Sequence, residues 1–514
     1  MKNQVKIGAV LSYLGMGINI IIGLIYTPVM IRLLGQNEYG LYNTVASTIS
    51  TLSVLKMGFN SSYVRYYAKY RKNEKKLSSL NGLFLLIFSV IGLIALFCGI
   101  YLTINLELVF SSGLTEKEYG TAKILMLLLT FKLAISFPMS VFSSIISAHE
   151  RYLFQKLLGI IGTICNPLVT LPLLLMGYKS IALVCVSVII AFTTEIIDVY
   201  YVLKVLRNKF VFHSFEKGLF KSLFVYSSFI AINMIVDQIN WNVDKILLGR
   251  YRGTEEVAIY SVGFSLYSYY QMFSTSISGI FTPRIHKIVV DIKCKKEQNK
   301  KLTELFVKVG RIQYLLLALI ATGILIFGKE FITNIWADKG YSNSYYVALL
   351  LVFPATIALI QNIGIEIQRA ENKHQFRSFI YAGMALLNLC LSIILCQKFG
   401  SIGSAIGTSI SLIIANGLIM NIFYHKKCNI NIIVFWKNII SLSKGIIIPL
   451  IFACVLRQVM NFNIIWQFGL GVCMYTCIYI ISMWNIAMNK YEKELISNPL
   501  KKIMNKLKMR DGKR

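Results

Sequence analysis

Long apolar runs alternate with short polar segments along the whole chain. A bilayer core of roughly 30 Å requires about 20 apolar residues per crossing helix, and fourteen runs meet that length. The predicted spans, numbered 1–14 in chain order, are 8–34, 41–64, 79–104, 121–148, 154–176, 180–203, 222–249, 257–282, 305–328, 345–368, 376–398, 401–424, 432–456 and 464–488. Because a chain inside lipid must satisfy its own backbone hydrogen bonds, such runs are expected to be helical. The pattern predicts an all-α integral membrane protein with about fourteen transmembrane helices.

Basic residues concentrate in alternate connections between these runs. If the N-terminus lies inside, 39 of the 53 Lys and Arg residues fall in inner segments and ten fall in outer segments. Positive residues favour the cytoplasmic side of a membrane. An even number of spans places both termini on that side. We therefore predict cytoplasmic termini, with the basic inner loops and a lysine-rich tail lying against anionic lipid headgroups.

The composition agrees with a membrane location and decides how the positive net charge is interpreted. Of the 514 residues, 56% are hydrophobic and 15% are charged, and the mean hydropathy is +0.63. Soluble proteins average about 25% charged residues. A net charge of +30 in a soluble protein would suggest a nucleic-acid partner. Here the charge lies in short loops between apolar runs, so no nucleic-acid partner is expected.

No pattern typical of a catalytic or metal site is present. The ten cysteines show no ligand spacing, and the chain contains no G-x-x-x-x-G-K-[ST] loop. The longest inner segments, 204–221 and 284–311, are too short for a soluble catalytic domain. We therefore expect no enzyme activity, no metal and no cofactor. Any energy input would come from an ion gradient, the membrane potential or a substrate gradient.

Two halves of the chain repeat the same short sequence features. The matched pairs are Leu33-Leu34-Gly35 with Leu247-Leu248-Gly249, Asn19 with Asn233, Glu38 with Glu256, Tyr42 with Tyr260, Ala148 with Ala370, Phe154 with Phe376, Asn166 with Asn388, and Ser180-Ile181 with Ser401-Ile402. Paired repeats build two gates around a central site in many secondary transporters. We therefore predict a first lobe at 1–208 (helices 1–6) and a second at 209–428 (helices 7–12). Two extra helices would follow at 429–488, and a basic cytoplasmic tail at 489–514.

Predicted helix 7 carries the most pronounced polar face. Its residues Asn233, Asp237, Asn240 and Asp244 follow at spacings of four, three and four, which places them on one side of a regular helix. Ionisable groups inside a span are costly, so each is a candidate functional residue. Asparagines on such a face favour helix–helix packing, whereas two carboxylates favour a hydrated cavity. We predict that this face lines a cavity.

Basic residues inside other spans are candidates for binding an anion. Lys132 lies midway along predicted helix 4, where an ammonium group needs a partner or an anionic ligand. Lys56 lies in the inner half of helix 2. Arg32, at the outer end of helix 1, either binds an anion or extends to the membrane surface. Asn19 adds a polar position to helix 1.

Two acidic residues on predicted helix 6 have a different expected role. Glu195 and Asp198 are three residues apart, so they share one face near the inner end of the helix. Basic residues follow within a few turns. We expect an ion pair with Lys204 or Arg207 that holds the local structure together.

Several motifs carry a resemblance to one family. They are IRLLGQNEYGLY at 31–42, NVDKILLGRYRGTEEVAIYSVG at 242–263, FTPRI at 281–285, RAENKHQFRS at 369–378 and FGSIGSAIGTSIS at 399–411. In their order and placement at corresponding helix ends, the chain resembles Wzx-type polysaccharide or O-antigen flippases. These belong to the multidrug/oligosaccharidyl-lipid/polysaccharide exporter superfamily. The overall pattern of the resemblance runs nearly end to end.

The resemblance implies a fold and an activity. It implies a V-shaped bundle of two pseudo-symmetric six-helix lobes with two extra C-terminal helices, in the plasma membrane of a bacterium. It also implies alternating access that moves an undecaprenyl-pyrophosphate-linked glycan from the inner to the outer leaflet without enzyme chemistry. Other polysaccharide-assembly membrane proteins would be its partners. Basic cavity residues would hold the pyrophosphate, and cavity carboxylates would couple transport to H⁺ or Na⁺. The resemblance points to Arg32, Lys56 and Lys132 for the pyrophosphate and to Asp237 for ion coupling. With the polar helix faces, we predict a substrate cavity lined by Arg32, Lys56, Lys132, Asn19, Asn233 and Asn240, and ion coupling at Asp237 and Asp244.

Three other functions are compatible with parts of the pattern. A multidrug exporter of the same superfamily would share the fold but favour an apolar, acidic cavity without the last two helices. A peptidoglycan-precursor flippase would carry a dense set of arginines in its first lobe, whereas the cations here are sparse and mostly lysine. A membrane glycosyltransferase or polymerase would need a carboxylate site with a metal, or a large outer loop.

Overall fold

The structure of the chain is a computed structural model that describes residues 2–110, 113–213, 215–216, 218–371, 373–495 and 497–498. Within these residues the regular elements are helices, and no β-strand occurs. The predicted all-α membrane fold is therefore confirmed. Most of the predicted basic tail, from 499 onward, lies outside the described residues.

The helices of the first half of the chain follow the predicted spans closely in some places and are broken in others. They are α1 Lys2–Leu34, α2 Gln36–Thr51, α3 Phe59–Tyr70, α4 Glu74–Ile104, α5 Leu106–Phe110, α6 Glu116–Ala148, α7 Tyr152–Leu175, α8 Lys179–Tyr200, α9 Leu219–Gln238 and α10 Asp244–Tyr251. A 3-10 turn at Leu52–Lys56 continues α2. Two π turns, at Tyr201–Val205 and Ile239–Val243, extend α8 and join α9 to α10.

The second half has longer helices with more irregular ends. They are α11 Thr254–Asp291, α12 Lys295–Glu330, α13 Ser344–Ile360, α14 Ile363–Ala370, α15 His374–Leu412, α16 Met420–Lys426, α17 Ile432–Ser443, α18 Ile447–Val459 and α19 Ile465–Ser482. π turns occur at Phe331–Trp336, Ile413–Ile419 and Met483–Ala487, and 3-10 turns at Lys339–Tyr341 and Lys444–Ile446. Helix α12 begins about ten residues before the predicted span at 305, because its charged first turns continue the helix beyond the apolar run.

Nine helices in the described residues are long and apolar enough to cross a membrane, or ten if one bent pair counts as a span. They are Leu11–Leu34, Glu74–Ile104, Glu116–Ala148, Tyr152–Leu175, Lys179–Val205, Lys295–Trp336, Gln375–Lys426, Ile432–Val459 and Ile465–Ala487. The bent pair is Ser344–Ile360 with Ile363–Ala370, at 42°. The protein is thus a multi-pass membrane protein.

The difference from fourteen spans has identifiable causes. The segment at 36–70 is interrupted after Lys56, the segment at 219–251 is interrupted by a π turn, and α11 carries charged residues at both ends. The long helical stretch Gln375–Lys426 contains two of the predicted spans. These elements are compatible with fourteen crossings.

The turn between predicted spans 11 and 12 depends on a glycine. Within α15 the backbone at Gly400 has φ 58° and ψ −136°, a conformation that residues with a Cβ rarely adopt. A Cβ there would also lie 2.6 Å from Oε2 of Glu256. That carboxylate accepts a hydrogen bond from the backbone N–H of Ser401 at 2.7 Å. The glycine thus reverses the chain and leaves room for a carboxylate at the start of the next helical run.

Large apolar side chains remain exposed along the spans. More than half of the surface is exposed for Phe97, Ile104, Leu175, Phe379 and Val459. Soluble proteins rarely expose so much apolar surface, whereas lipid tails cover it without cost. The exposed apolar residues therefore agree with a lipid-facing surface.

One compact unit of the described structure comprises the chain up to Ser265, 336–347 and 378–411. In it, α4 packs along α6, α1 packs along α7, and α6 also contacts α8. Its aromatic core includes Phe59, Phe84, Phe88 and Phe137, which are at most 2% exposed. This unit contains both of the charged clusters described below.

The second compact unit comprises 266–335, 348–377 and the described chain from 412 onward. In it, α12 packs against α17 and α19, and α18 packs against α19. Predicted helices 13 and 14 (α17–α19) therefore belong to this unit. The predicted lobe boundaries at 208 and 428 stay a prediction.

A buried ion pair ties the end of the second unit to α12. Nε and Nη2 of Arg311 donate to the two carboxylate oxygens of Glu492 at 2.6 and 2.9 Å, and both side chains are nearly inaccessible. The guanidinium also donates to the carbonyl oxygens of Asn438 and Ala487, each at 3.1 Å. Because four acceptors surround one guanidinium, α12, α17 and the chain after α19 are held at a single point.

Candidate functional site

Lys56 lies where predicted helix 2 is broken. The 3-10 turn ends at Lys56, and Met57 and Gly58 follow with φ of 45° and 70°. A Cβ on Gly58 would lie 2.3 Å from the side chain of Ile230, so the glycine allows α9 to approach. The ammonium of Lys56 lies 5.3 Å from the ring centroid of Phe137 and is half-buried. The break thus directs a cation into the first unit instead of continuing a straight helix.

Lys132 and the acidic pair on α8 complete a charged cluster around Lys56. Nζ of Lys132 donates to Oγ of Ser187 at 3.2 Å. The Glu195 carboxylate lies close enough to Lys56 and Lys132 to interact electrostatically with both, and with Asp198. Two ammonium groups and two carboxylates therefore share one region of apolar helices. We call these four residues the α8 cluster.

The carboxylates of the α8 cluster are not fully satisfied by protein. Oε2 of Glu195 and Oδ1 of Asp198 are buried, and no described residue donates a hydrogen bond to either atom. The expected ion pair with Lys204 or Arg207 is absent from the described part of the chain, and both basic side chains are exposed. The prediction for Glu195 and Asp198 was therefore wrong. The sequence contained one indication of their partners. Glu195 and Asp198 lie inside a span, and ionisable residues inside spans pair with one another.

The predicted polar face of helix 7 is divided by a π turn. Asn233 and Asp237 lie on α9 and are exposed, whereas Asn240 lies inside the π turn Ile239–Val243 and is half-buried. Asp244 begins α10 and is 3% exposed. A π turn winds the chain more slowly than an α-helix, so residues seven apart no longer share one face. The single face predicted from a regular helix is therefore wrong at Asp244.

Asp244 lies at the centre of a buried polar cluster. Its Oδ2 accepts hydrogen bonds from the hydroxyls of Tyr260 at 2.7 Å and Thr408 at 2.8 Å. The same Thr408 hydroxyl lies 3.2 Å from Oδ1 of Asn388, and Ser392 donates to that amide oxygen at 3.3 Å. All five side chains are at most 9% exposed. We call these five residues the Asp244 cluster.

One oxygen of the Asp244 carboxylate has no hydrogen-bond donor among the described residues. Oδ1 of Asp244 is buried, and within the described residues nothing donates a hydrogen bond to it. The adjacent Lys245 interacts electrostatically with Asp244, but its ammonium lies 4.9 Å from the ring centroid of Phe264 and forms no ion pair there in the described structure. A buried carboxylate with a free oxygen and neutral oxygen neighbours is a suitable place for a cation or a proton.

The remaining predicted positions lie on surfaces of the helices. Arg32 lies in the last turn of α1 and is exposed, and Asn19 is exposed near the middle of the same helix. Their roles, like those of Asn233, Asn240 and Asp237, stay predictions.

A separate cavity of about 760 Å³ lies among the connections outside the predicted spans. Lys75, Lys76, Lys209 and His213 are among its lining residues. Glu216 accepts a hydrogen bond from the hydroxyl of Tyr70 at 2.8 Å, and this bond, with Lys76 nearby, holds the pKa of the Glu216 carboxyl below its usual value. The cavity is basic, but it lies apart from the α8 cluster and the Asp244 cluster in sequence and has no unsatisfied buried acid among its lining residues.

The structure corrects the repeat alignment near the ends of helices 1 and 7. Gly249 lies inside α10, whereas Gly35 and Gly253 have positive φ (77° and 89°) and directly precede the next helix. Gly253 is therefore the counterpart of Gly35. The pairing of Gly35 with Gly249 was wrong by four residues, or about one helical turn. The pairing of Asn19 with Asn233 stays a prediction.

Other matched residues make equivalent contacts in the two repeats. Oγ of Ser180 donates to Glu38 at 2.5 Å, and the backbone N–H of Ser401 donates to Glu256 at 2.7 Å. In each repeat, an acid in the helix after the glycine thus contacts the start of a later helix. These contacts explain why the four residues recur in the sequence.

Comparisons with known proteins agree with a polysaccharide-related transporter. A family model described as polysaccharide biosynthesis protein matches residues 6–289, which is more than half of the chain. A candidate O-antigen transporter from Shigella flexneri is 21% identical over 411 residues, covering 78% of this chain and 92% of the relative. The capsular polysaccharide biosynthesis protein CapF of Staphylococcus aureus is 24% identical over 277 residues, covering 53% of this chain and 67% of the relative.

Solved structures share the fold. The lipid II flippase MurJ, in an inward closed conformation, superposes with a TM-score of 0.66 at 17% identity, covering 93% of this chain and 97% of that chain. An inward-facing multidrug transporter of the MATE family gives a TM-score of 0.60 at 13% identity, covering 80% of this chain and 96% of that chain. At these identities the likeness shows the fold alone.

Proposed function

We propose, from the premise that this chain belongs to the polysaccharide biosynthesis protein family, that it moves a lipid-linked oligosaccharide across the membrane for surface polysaccharide assembly. The substrate would be an undecaprenyl-pyrophosphate-linked glycan, and the protein would work by alternating access. The Shigella relative, a candidate O-antigen transporter, supports the substrate class. The repeated sequence features support alternating access, because such repeats form opposed gates in many transporters.

The α8 cluster is the observation that carries this proposal. Lys56 and Lys132 provide two ammonium groups inside apolar helices. A charged side chain there is energetically costly, so it indicates a function or an oppositely charged partner. A pyrophosphate has several oxygens that can accept charge-assisted hydrogen bonds from both lysines. Glu195 and Asp198 neutralise the lysines when no substrate is present. An entering pyrophosphate would compete with these carboxylates for the ammonium groups, so binding and release would both be possible.

The Asp244 cluster is the proposed site of the coupling ion. Carboxylate, amide and hydroxyl oxygens are suitable ligands for a hard cation such as Na⁺, and the free Oδ1 of Asp244 could equally take a proton. Asp237, the other carboxylate predicted for this role, is exposed. It precedes the π turn Ile239–Val243, whereas Asp244 follows it. Burial and neighbouring oxygens favour Asp244 over Asp237.

The first test measures translocation of a fluorescent undecaprenyl-pyrophosphate glycan in liposomes that contain the purified protein. Replacing both lysines, Lys56→Ala with Lys132→Ala, is expected to lower the initial rate about tenfold or more, because charge-assisted hydrogen bonds to the pyrophosphate are lost. Lys444→Ala is the control, because this lysine also falls in a predicted span but is exposed.

Three outcomes of that test have distinct meanings. Equal rates for the double variant and for Lys444→Ala would exclude the α8 cluster as the pyrophosphate site. Absence of glycan translocation by the wild type would contradict the proposed function. If the protein in the same liposomes then transported a cationic dye, it would function as a multidrug exporter.

A second test separates the two coupling candidates. Asp244→Asn, which keeps the side-chain shape and removes the charge, is expected to abolish the dependence of translocation on a Na⁺ or pH gradient. Asp237→Asn should retain that dependence, because Asp237 is exposed and lies outside the Asp244 cluster. Gradient dependence that survives in Asp244→Asn and disappears in Asp237→Asn would assign coupling to the exposed carboxylate instead.

A further inference from the structure

The first repeat contains a counterpart of the Asp244 cluster. Asp244 lies nine residues before Gly253, and Tyr26 lies nine residues before Gly35. Tyr260 and Tyr42 each lie seven residues after the same glycines. The corrected alignment therefore pairs the central carboxylate of the second repeat with a tyrosine in the first.

The other members of the cluster also have counterparts. Asn166 matches Asn388, and in each repeat a hydroxyl four residues later donates to the amide oxygen: Thr170 at 3.5 Å and Ser392 at 3.3 Å. Ser187 lies seven residues after Ser180, just as Thr408 lies seven residues after Ser401. The five positions of the Asp244 cluster thus correspond to Tyr26, Tyr42, Asn166, Thr170 and Ser187.

Four of the counterpart positions, Tyr26, Tyr42, Asn166 and Thr170, also lie together in the structure. The hydroxyl of Tyr26 is buried and faces Thr170 and Tyr42, as Asp244 faces Ser392 and Tyr260. Within the described residues this hydroxyl forms no hydrogen bond of normal length. Four positions of the cluster are therefore arranged alike in the two repeats, but only the second repeat contains a carboxylate.

In the first repeat, Ser187 is contacted by a lysine that has no counterpart in the second repeat. Nζ of Lys132 on α6 donates to Ser187, the counterpart of Thr408. In the second repeat, Thr408 instead donates to Asp244. The residue 222 positions after Lys132, the spacing of the Asn166 and Asn388 pair, is Pro354, so the second repeat has no matching ammonium.

We propose that the ammonium of Lys132 is a tethered cation that takes, in the first repeat, the place of the exchangeable cation in the second. This inference rests on the proposed cation site at Asp244. Oxygens without a carboxylate hold a free cation poorly in a region of low dielectric constant. A lysine supplies the positive charge without a binding equilibrium, and Glu195, which also faces Lys56 and Asp198, supplies the counter-charge. The chain would then bind one exchangeable cation and carry the other.

This arrangement has a consequence for transport. A tethered ammonium cannot leave the first repeat, so that repeat keeps its positive charge in every state of the cycle. Because Lys132 is also one of the two proposed pyrophosphate ligands, the first repeat would attract the anionic substrate whether or not the coupling ion is bound. Ion coupling would then act through the second repeat alone.

The test converts the first repeat into an exchangeable site. Thermal unfolding of the full chain in detergent is measured against Na⁺ at constant ionic strength, and against pH without Na⁺. The wild type should respond to one of these ions, and Asp244→Asn should not. In the Asp244→Asn background, adding Tyr26→Asp with Lys132→Ala should restore a saturable response to the same ion, half-maximal within about tenfold of the wild-type value. Adding Tyr26→Asp alone should restore none, because Lys132 would pair with the new carboxylate.

A second measurement serves if the triple variant does not fold. Lys132→Ala alone should lose translocation activity, and methylammonium should recover part of it, because a small free cation can replace the missing ammonium. Na⁺ at the same concentration should not.

Two results would overturn the tethered-cation proposal. One is a folded triple variant without an ion response, and the other is a Lys132→Ala protein that methylammonium does not rescue. A wild type that translocates the glycan but responds to neither ion would remove the coupling site, and this inference with it, while the translocation function would stand.

Discussion

Arg311→Met is expected to lower the free energy of unfolding by about 3–5 kcal/mol, because it leaves the buried carboxylate of Glu492 without its cation. The guanidinium also serves two backbone carbonyls, which would lose their donors. A loss of this size is a large fraction of the stability of a typical protein. It would be measured as a shift in denaturant or thermal unfolding of the purified protein in detergent.

Two further variants make the Arg311 prediction specific. Arg457→Met removes another arginine–glutamate pair of the same unit, in which Arg457 lies 3.1 Å from Glu330 and is 45% exposed, so the loss should be at most about 1 kcal/mol. Combining Arg311→Met with Glu492→Met should be less harmful than Arg311→Met alone, because no buried charge remains unpaired. Similar losses of unfolding free energy for Arg311→Met and Arg457→Met would contradict a special role of the buried Arg311–Glu492 ion pair.

Gly40→Ala is expected to destabilise the first unit by about 3 kcal/mol or more, because a Cβ at this position would lie 1.8 Å from the backbone oxygen of Thr254. The obstacle is backbone, so a side-chain rotation cannot relieve the clash. Gly40 is itself buried in α2, where it allows the start of α11 to approach. Unfolding in detergent, followed by size-exclusion chromatography after heating, would measure the loss.

Gly120→Ala is the matched control for this second prediction. Gly120 lies in α6 of the same unit, and a Cβ there would meet no atom within 4 Å. Alanine favours a helix over glycine, so this variant should be neutral or stabilised by up to about 1 kcal/mol. Equal destabilisation by the two substitutions would show that the close contact between Gly40 and Thr254 does not determine the loss.

The span pattern could be predicted because the relevant physics is local. Each apolar run must hydrogen-bond its own backbone in lipid, so its length and composition alone specify a helix. The structure confirms this for α4, α6, α7 and α8, whose bounds lie within a few residues of the prediction except at the charged first turns. Span 2 shows the limit, because hydropathy did not reveal the break at Met57 and Gly58.

The candidate site could be predicted only in part. Lys56, Lys132 and Asp244 were identified because charge inside an apolar run is costly wherever it occurs. Their partners could not be identified in the same way. Glu195 was assigned to nearby basic residues in the sequence, whereas the structure places it beside lysines more than 60 positions away.

The sequence by itself determined the all-α membrane fold, the candidate charges and the recurrence of Glu38, Ser180, Glu256 and Ser401. These features follow from the hydrophobicity of each run and from residue identities that can be compared directly. Only the tertiary structure decided that a π turn separates Asp237 from Asp244, that Gly253 is the counterpart of Gly35, and that two lysines share the carboxylates of α8. The physical reason is that one additional residue in a helical turn rotates every later side chain, and only packing against other helices determines where such a turn forms.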